Sequence, residues 1–100
     1  MTDKELVKLI EDAKNGFTCF KDYYVTCRLA SKPKYNRSGE IKEFNFIAHI
    51  APKNKPICGL YTISVYPIKN KISFAASYET ELEFPEEVSN YITQKFGFKS

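Results

Sequence analysis

The chain has 100 residues, 43% of them hydrophobic and 15% aromatic, which suits one folded domain over residues 1–100 and excludes a disordered chain. Its formal charge of +3 is too small to signal nucleic-acid binding by itself. No apolar run approaches the roughly 20 residues that a membrane-spanning helix needs.

From the N-terminus, Thr2-Asp3-Lys4-Glu5 reads as a capping box, with Thr2 as the cap and Glu5 reaching back. Leu6, Leu9, Ile10 and Ala13 follow at helical spacing, and Asn15-Gly16 supplies a stop, so a helix is predicted over residues 3–14. Charges recur every few residues through residues 1–16, which is not the pattern of a secretory signal. Phe17-Thr18-Cys19-Phe20 reads as an extended segment without a clear phase.

Beyond it the period becomes two. Tyr23, Val25, Cys27 and Leu29 alternate with Tyr24, Thr26 and Arg28. The twelve residues from Ser31 to Lys42 then read as an irregular loop, with Pro33, Asn36, Ser38 and Gly39 breaking the pattern. Phe44, Phe46, Ala48 and Ile50 alternate with Asn45, Ile47 and His49, and Tyr61, Ile63 and Val65 with Leu60, Thr62, Ser64 and Tyr66. Ile72, Phe74, Ala76 and Tyr78 alternate with Ser73, Ala75 and Ser77. Strict alternation predicts an antiparallel sheet with one buried face. Pro85 fits a first helical position, Glu86 and Glu87 suit the helix dipole, Val88, Tyr91, Ile92 and Phe96 form a stripe, and Gly97 closes it. The expected fold is a two-layer α+β sandwich of order α-β-β-β-β-α, a four-stranded meander with both helices on one face.

Charge is segregated along the chain: residues 1–16 carry net −1, residues 17–78 net +7 and residues 79–100 net −3. In a meander, loops 31–42 and 67–71 share one end of the sheet. Lys32, Lys34, Arg37, Lys42, Lys69 and Lys71 then form a positive tip beside Tyr35, offset by Glu40 and Glu43. The other end gathers Lys53 and Lys55 with Glu79, Glu81, Glu83, Glu86 and Glu87. The outward sheet face, with Tyr24, Arg28, His49 and Tyr66 among small polar residues, is the second candidate contact surface, since Tyr and Arg favour interfaces and base stacking.

Enzymatic and metal chemistry find little support. Cys19, Cys27 and Cys58 form no close pair of ligands, and His49 is the only histidine, without a nucleophile motif around it. The glycines are isolated, so no phosphate-binding loop is present, and no cofactor is expected. The odd cysteine count and the absence of a signal pattern predict a cytoplasmic protein with reduced thiols. A helix followed by a four-stranded antiparallel sheet resembles the cystatin-like arrangement in topology alone, which does not imply function. Size and the lack of a catalytic set resemble the small inhibitors made by phages and mobile elements. The expected function is a non-enzymatic module that docks on a protein partner, one with an acidic surface or a groove for nucleic acid, such as a host nuclease complex. Direct nucleic-acid binding by the loop lysines and the tyrosines is the alternative, and a second copy of the chain on the open sheet face is a further partner to consider.

Overall fold

The computed structural model describes residues 2–77 and 82–97. Helix α1 (Asp3–Gly16) is followed by a 3₁₀ turn (Phe17–Cys19), strands β1 (Tyr23–Leu29), β2 (Lys34–Tyr35), β3 (Ile41–Pro52), β4 (Gly59–Tyr66) and β5 (Lys71–Ala76), and helix α2 (Glu86–Ile92). Helix α2 widens into a π turn at Thr93–Gly97. No described helix is long and apolar enough to cross a membrane.

The sheet is an antiparallel meander in the order β1-β3-β4-β5, with β2 paired to β3 beside β1. Register runs straight across it: Cys27 pairs with Ala48, Ala48 with Tyr61 and Tyr61 with Ala76. Alternation does what it predicts. Phe44, Phe46, Ala48, Ile50, Tyr61, Ile63 and Val65 are buried on one face, where Leu6, Ile10 and Ala13 of α1 and Val88, Ile92 and Phe96 of the C-terminal helix cover them. Phe96 lies 4.5 Å from Phe46 and 6.3 Å from Phe44, centroid to centroid, and so plugs the core from the helical layer. Burying each such ring contributes on the order of 2 kcal/mol. The structure is a small α+β fold with both helices on one face of the sheet.

Four expectations about element ends are overturned. Thr2 does cap α1, accepting from the Glu5 amide, but the helix runs through Asn15 and Gly16 instead of stopping there. Gly16 serves packing: a Cβ at this position would fall inside the Tyr91 hydroxyl. Tyr91 sits against the backbone here, donates to the Ala13 carbonyl at 3.1 Å, and is flanked by Phe17 and Phe20 at 5.2 and 5.5 Å. The Phe17–Phe20 segment is accordingly not extended throughout: Phe17–Cys19 form a 3₁₀ turn, and Phe17 and Phe20 hold it against Tyr91 of α2. Pro85 is the cap residue of α2, one position earlier than expected, because its ψ of 131° is still extended. The loop 31–42 is not wholly irregular, since it contains a short hairpin of β2 with the start of β3. Tyr78 lies outside the described residues.

Burial and the Glu83 carboxylate push the Tyr61 phenol above its ordinary value, and this hydroxyl donates to the Leu82 carbonyl. A raised folded-state value means that the stability from neutral Tyr61 is complete below the unfolded value and lost as pH rises through the folded one. Urea midpoints should therefore hold steady to about pH 9 and fall above about pH 10. Tyr61→Phe should make that fall shallower while costing about 1 kcal/mol near neutrality. The Gly16–Tyr91 contact predicts a sign reversal. Gly16→Ala should destabilise by about 1–2 kcal/mol in the native background. In a Tyr91→Ala background it should stabilise, by up to about 1 kcal/mol, because only the helix preference for alanine remains.

Candidate docking site

Two hairpin turns meet at one end of the sheet. The first is tied by Asn36, whose Oδ1 accepts from the Ser38 amide at 3.0 Å, the Ser38 hydroxyl at 3.0 Å and the Glu40 amide at 2.9 Å. The Asn36 amide donates to the Glu40 carbonyl at 2.9 Å, and Gly39 takes a φ of 86°, which a side chain would resist. An asparagine ahead of Ser-Gly is the local signal for such a turn. The second turn follows Tyr66, where the Lys69 amide donates to the Tyr66 carbonyl at 3.2 Å and Asn70 adopts the left-handed φ of 51°. Asparagine tolerates that region better than most residues.

Pairing of Phe44 with Val65 and of Tyr66 with Lys71 brings the turns together. Between them lies a groove of about 360 Å³ lined by Asn36, Lys42, Glu43, Tyr66, Ile68 and Lys69. Lys32, Arg37, Lys42, Lys69 and Lys71 are all exposed. The remaining basic residue of the expected tip, Lys34, lies 3.7 Å from Glu43 and is partly neutralised. Among the described residues that is the sole ion pair, so the other cations of the tip face solvent. Ile68, 53% exposed, is an apolar element of the groove that charge counting passes over.

Tyr35 is placed at the tip but engaged: its hydroxyl donates to Asp3 at the start of α1. That bond to a carboxylate pushes its phenol above the usual range. Asp3 thus orients β2 against the helical layer and brings a negative charge toward the tip, a feature with no signature in a local reading of residues 31–42.

The outward face is open among the described residues, and it divides into two parts. Tyr66 belongs to the tip. Arg28 lies opposite Ile47, and His49 lies between Thr26 and Leu60 across the strands. Tyr24, 64% exposed, is opposite Ala51 toward the far end, with the Lys53 ammonium 4.9 Å from its ring centre. A second groove of about 280 Å³ opens there, lined by Phe17, Phe20, Tyr23, Tyr24, Val25 and Thr26 among others. Of the eleven residues singled out from sequence, Tyr24, Arg28 and His49 are therefore separated from the tip that the other eight share.

Glu83, Glu86 and Glu87 are exposed near the start of α2. Leu82, just before them, is held by Tyr61 from the end of β4 remote from the tip. Of the charges expected at this end, Glu83, Glu86 and Glu87 lie away from the tip, as does Lys53 beside Tyr24, and Glu79 and Glu81 lie outside the described residues. Cys27 is buried, and burial pushes its thiol up, with Lys14 opposing, so it behaves as a packed apolar group. Cys19 and Cys58 are exposed free thiols. Among the described residues no three His, Cys, Asp or Glu side chains converge on a common point.

Comparison with protein-family models, curated proteins and solved structures returns no match.

The tip owes its shape to Asn36. Asn36→Ala should cost about 1–2 kcal/mol and release the amides of Ser38 and Glu40 to rapid hydrogen exchange. Asn36→Asp, which keeps the acceptor oxygen, should retain their protection; equal loss in both variants would show that the turn is held by other contacts.

Proposed function

We propose that the protein is a non-enzymatic docking module whose positive tip engages an acidic surface on a macromolecular partner. The observation that carries this reading is the convergence of two hydrogen-bonded turns around a groove that offers Lys42 and Lys69 beside Tyr66 and Ile68. Cations flanking an aromatic and an aliphatic side chain suit a protein surface, where a desolvated anchor supplies affinity and charge supplies steering. Pre-formed turns keep the ordering cost of binding low.

Direct nucleic-acid binding is the second reading, supported by the lysines. The geometry favours it less. Of the three tyrosines that would stack on bases, Tyr35 is held by Asp3 and Tyr24 sits beside Lys53 at the far end, so Tyr66 alone shares the tip with free cations. A basic groove as the docking partner would have to meet Glu83, Glu86 and Glu87, of which Glu86 and Glu87 already have the ordinary reason of a helix start. An acidic face on a nucleic-acid-handling complex, of the kind that phage or mobile-element inhibitors block, is the partner class consistent with the tip.

The experiment compares binding of the chain to a poly-glutamate peptide and to defined single- and double-stranded oligonucleotides, at about 50 and 200 mM salt. The docking reading expects the peptide to bind with moderate salt dependence, and Lys32→Glu, Lys42→Glu and Lys69→Glu together to abolish binding without unfolding. Tighter binding to oligonucleotides, falling by orders of magnitude between the two salt levels, would establish the second reading instead. Failure to bind either polyanion, or binding indifferent to the triple reversal, removes the tip as the contact.

A further inference from the structure

Strand β1 is an edge of the sheet, and two hydrogen bonds establish which of its residues face outward. The Ala30 amide donates to Asn45 and the Lys53 amide to the Asp22 carbonyl, both at 2.9 Å. Residues 22, 24, 26, 28 and 30 therefore direct their main chains at β3, while Tyr23, Val25, Cys27 and Leu29 direct theirs away. Among the described residues no main-chain group pairs with that outer row. Natural sheets guard such a row with proline, a bulge, a lysine or an inward-pointing charge. The short β2 extension has several of these, with Pro33 before it, Lys34 within it and a register shift. Strand β1, Tyr-Tyr-Val-Thr-Cys-Arg-Leu, has no proline, no bulge and no charge among its inward residues. At the opposite edge of the sheet, Phe84 packs on Phe74 of β5 at 5.0 Å.

We propose that β1 pairs antiparallel with β1 of a second copy of this chain, about a two-fold axis through Thr26. The pattern of the strand is complementary to itself in that register. Thr26 meets the partner's Thr26, a β-branched pair suited to a sheet surface. Tyr24 meets the partner's Arg28, and Arg28 the partner's Tyr24, so each guanidinium reaches a ring whose other neighbour, Lys53, lies on the β3 side. On the buried side Val25 meets the partner's Cys27, and Tyr23 meets the partner's Leu29. The half-buried Leu29 then reaches the groove of about 280 Å³ beside Phe17 and Phe20. The pairs 23–29 and 25–27, each formed twice, close about eight main-chain hydrogen bonds, two per pair. Sliding the register by two residues in either direction sets Tyr24 against the partner's Thr26 or Ala30 and loses the Tyr–Arg matches.

The two-fold is perpendicular to the sheet, so the assembly is one continuous sheet ordered β5-β4-β3-β1-β1-β3-β4-β5, with both open faces on the same side. The two positive tips then point in opposite directions. This arrangement does not depend on what the tips bind.

Sedimentation velocity of the full chain, from about 1 µM to about 1 mM, tests the proposal. The expected result is a concentration-dependent monomer–dimer equilibrium. Thr26 is exposed and outside the core, so Thr26→Lys should leave the monomer folded while placing like charges face to face on the axis. It should weaken the dimer about fivefold or more, and an equimolar mixture with Thr26→Glu should restore association. In a Cys19→Ser, Cys58→Ser background, Thr26→Cys should form an intermolecular disulfide under mild oxidation, since non-hydrogen-bonded antiparallel pairs bring Cβ atoms within reach. A chain that stays monomeric throughout overturns the proposal. So does a dimer indifferent to Thr26→Lys and uncrosslinked by Thr26→Cys, which would put the interface on another surface.

Discussion

The structure depends on β3. This strand pairs with β1 and β2 on one side and with β4 on the other, and its inward residues Phe44, Phe46, Ala48 and Ile50 are all at most 1% exposed. Because side chains alternate with a period of two, burying those four residues fixes the facing of every residue paired to them. A one-residue slip would move the whole set into water and bring Asn45, Ile47 and His49 into the core. Loss of these contacts, at roughly 1.5–3 kcal/mol per large apolar side chain, far exceeds what any surface contact in the molecule supplies. The orientation of β3 in turn sets which turns lie at which end, and so where the basic residues gather.

That chain of dependence explains what could be read from the sequence and what could not. Alternation is a local signal with a strong physical cause, and it located the long strands, their buried faces and the meeting of the turns at residues 31–42 and 67–71. Element ends are decided by contacts between residues far apart in the chain. Gly16 reads as a helix stop because glycine often is one, yet here it makes room for Tyr91, whose hydroxyl bonds Ala13 across 78 positions. Tyr35 reads as a free aromatic in a basic loop, and its bond to Asp3 spans 32 positions. Helical spacing puts Phe96 on the buried stripe, where it lies over Phe46, but carries no sign that the helix widens into a π turn at Thr93–Gly97. Local pattern describes which face is buried, and tertiary contact describes where each element stops.

The same distinction governs the candidate site. A tally of charges finds the basic residues of the tip but weights them equally. Geometry does not: Lys34 is offset by Glu43, while Lys42 and Lys69 border a groove with an aromatic and an aliphatic wall. An exposed ion pair contributes little to stability, but it removes a charge from the field that a partner meets. The tip is also stiffer than twelve residues with proline and glycine suggest, because the Asn36 side chain replaces three hydrogen bonds that water would otherwise make. Stiffness matters for docking, since a partner need not then supply the free energy of ordering the loop.

Edge and tip impose different constraints on the same strands. The tip can tolerate isolated cations because solvent screens them over about 8–10 Å. The outer row of β1 has no such relief: its amides and carbonyls satisfy themselves with water only while nothing better arrives, and an extended strand is better. Evolution commonly blunts such an edge, and β2 shows that this chain has the means, in Pro33, Lys34 and a register shift within a few residues of Leu29. A charge on the outward face, at Arg28, does not guard the row, because it points off the sheet plane and has a tyrosine four residues away to meet it across a two-fold. An edge left unguarded next to one that is guarded is most simply an edge that is used.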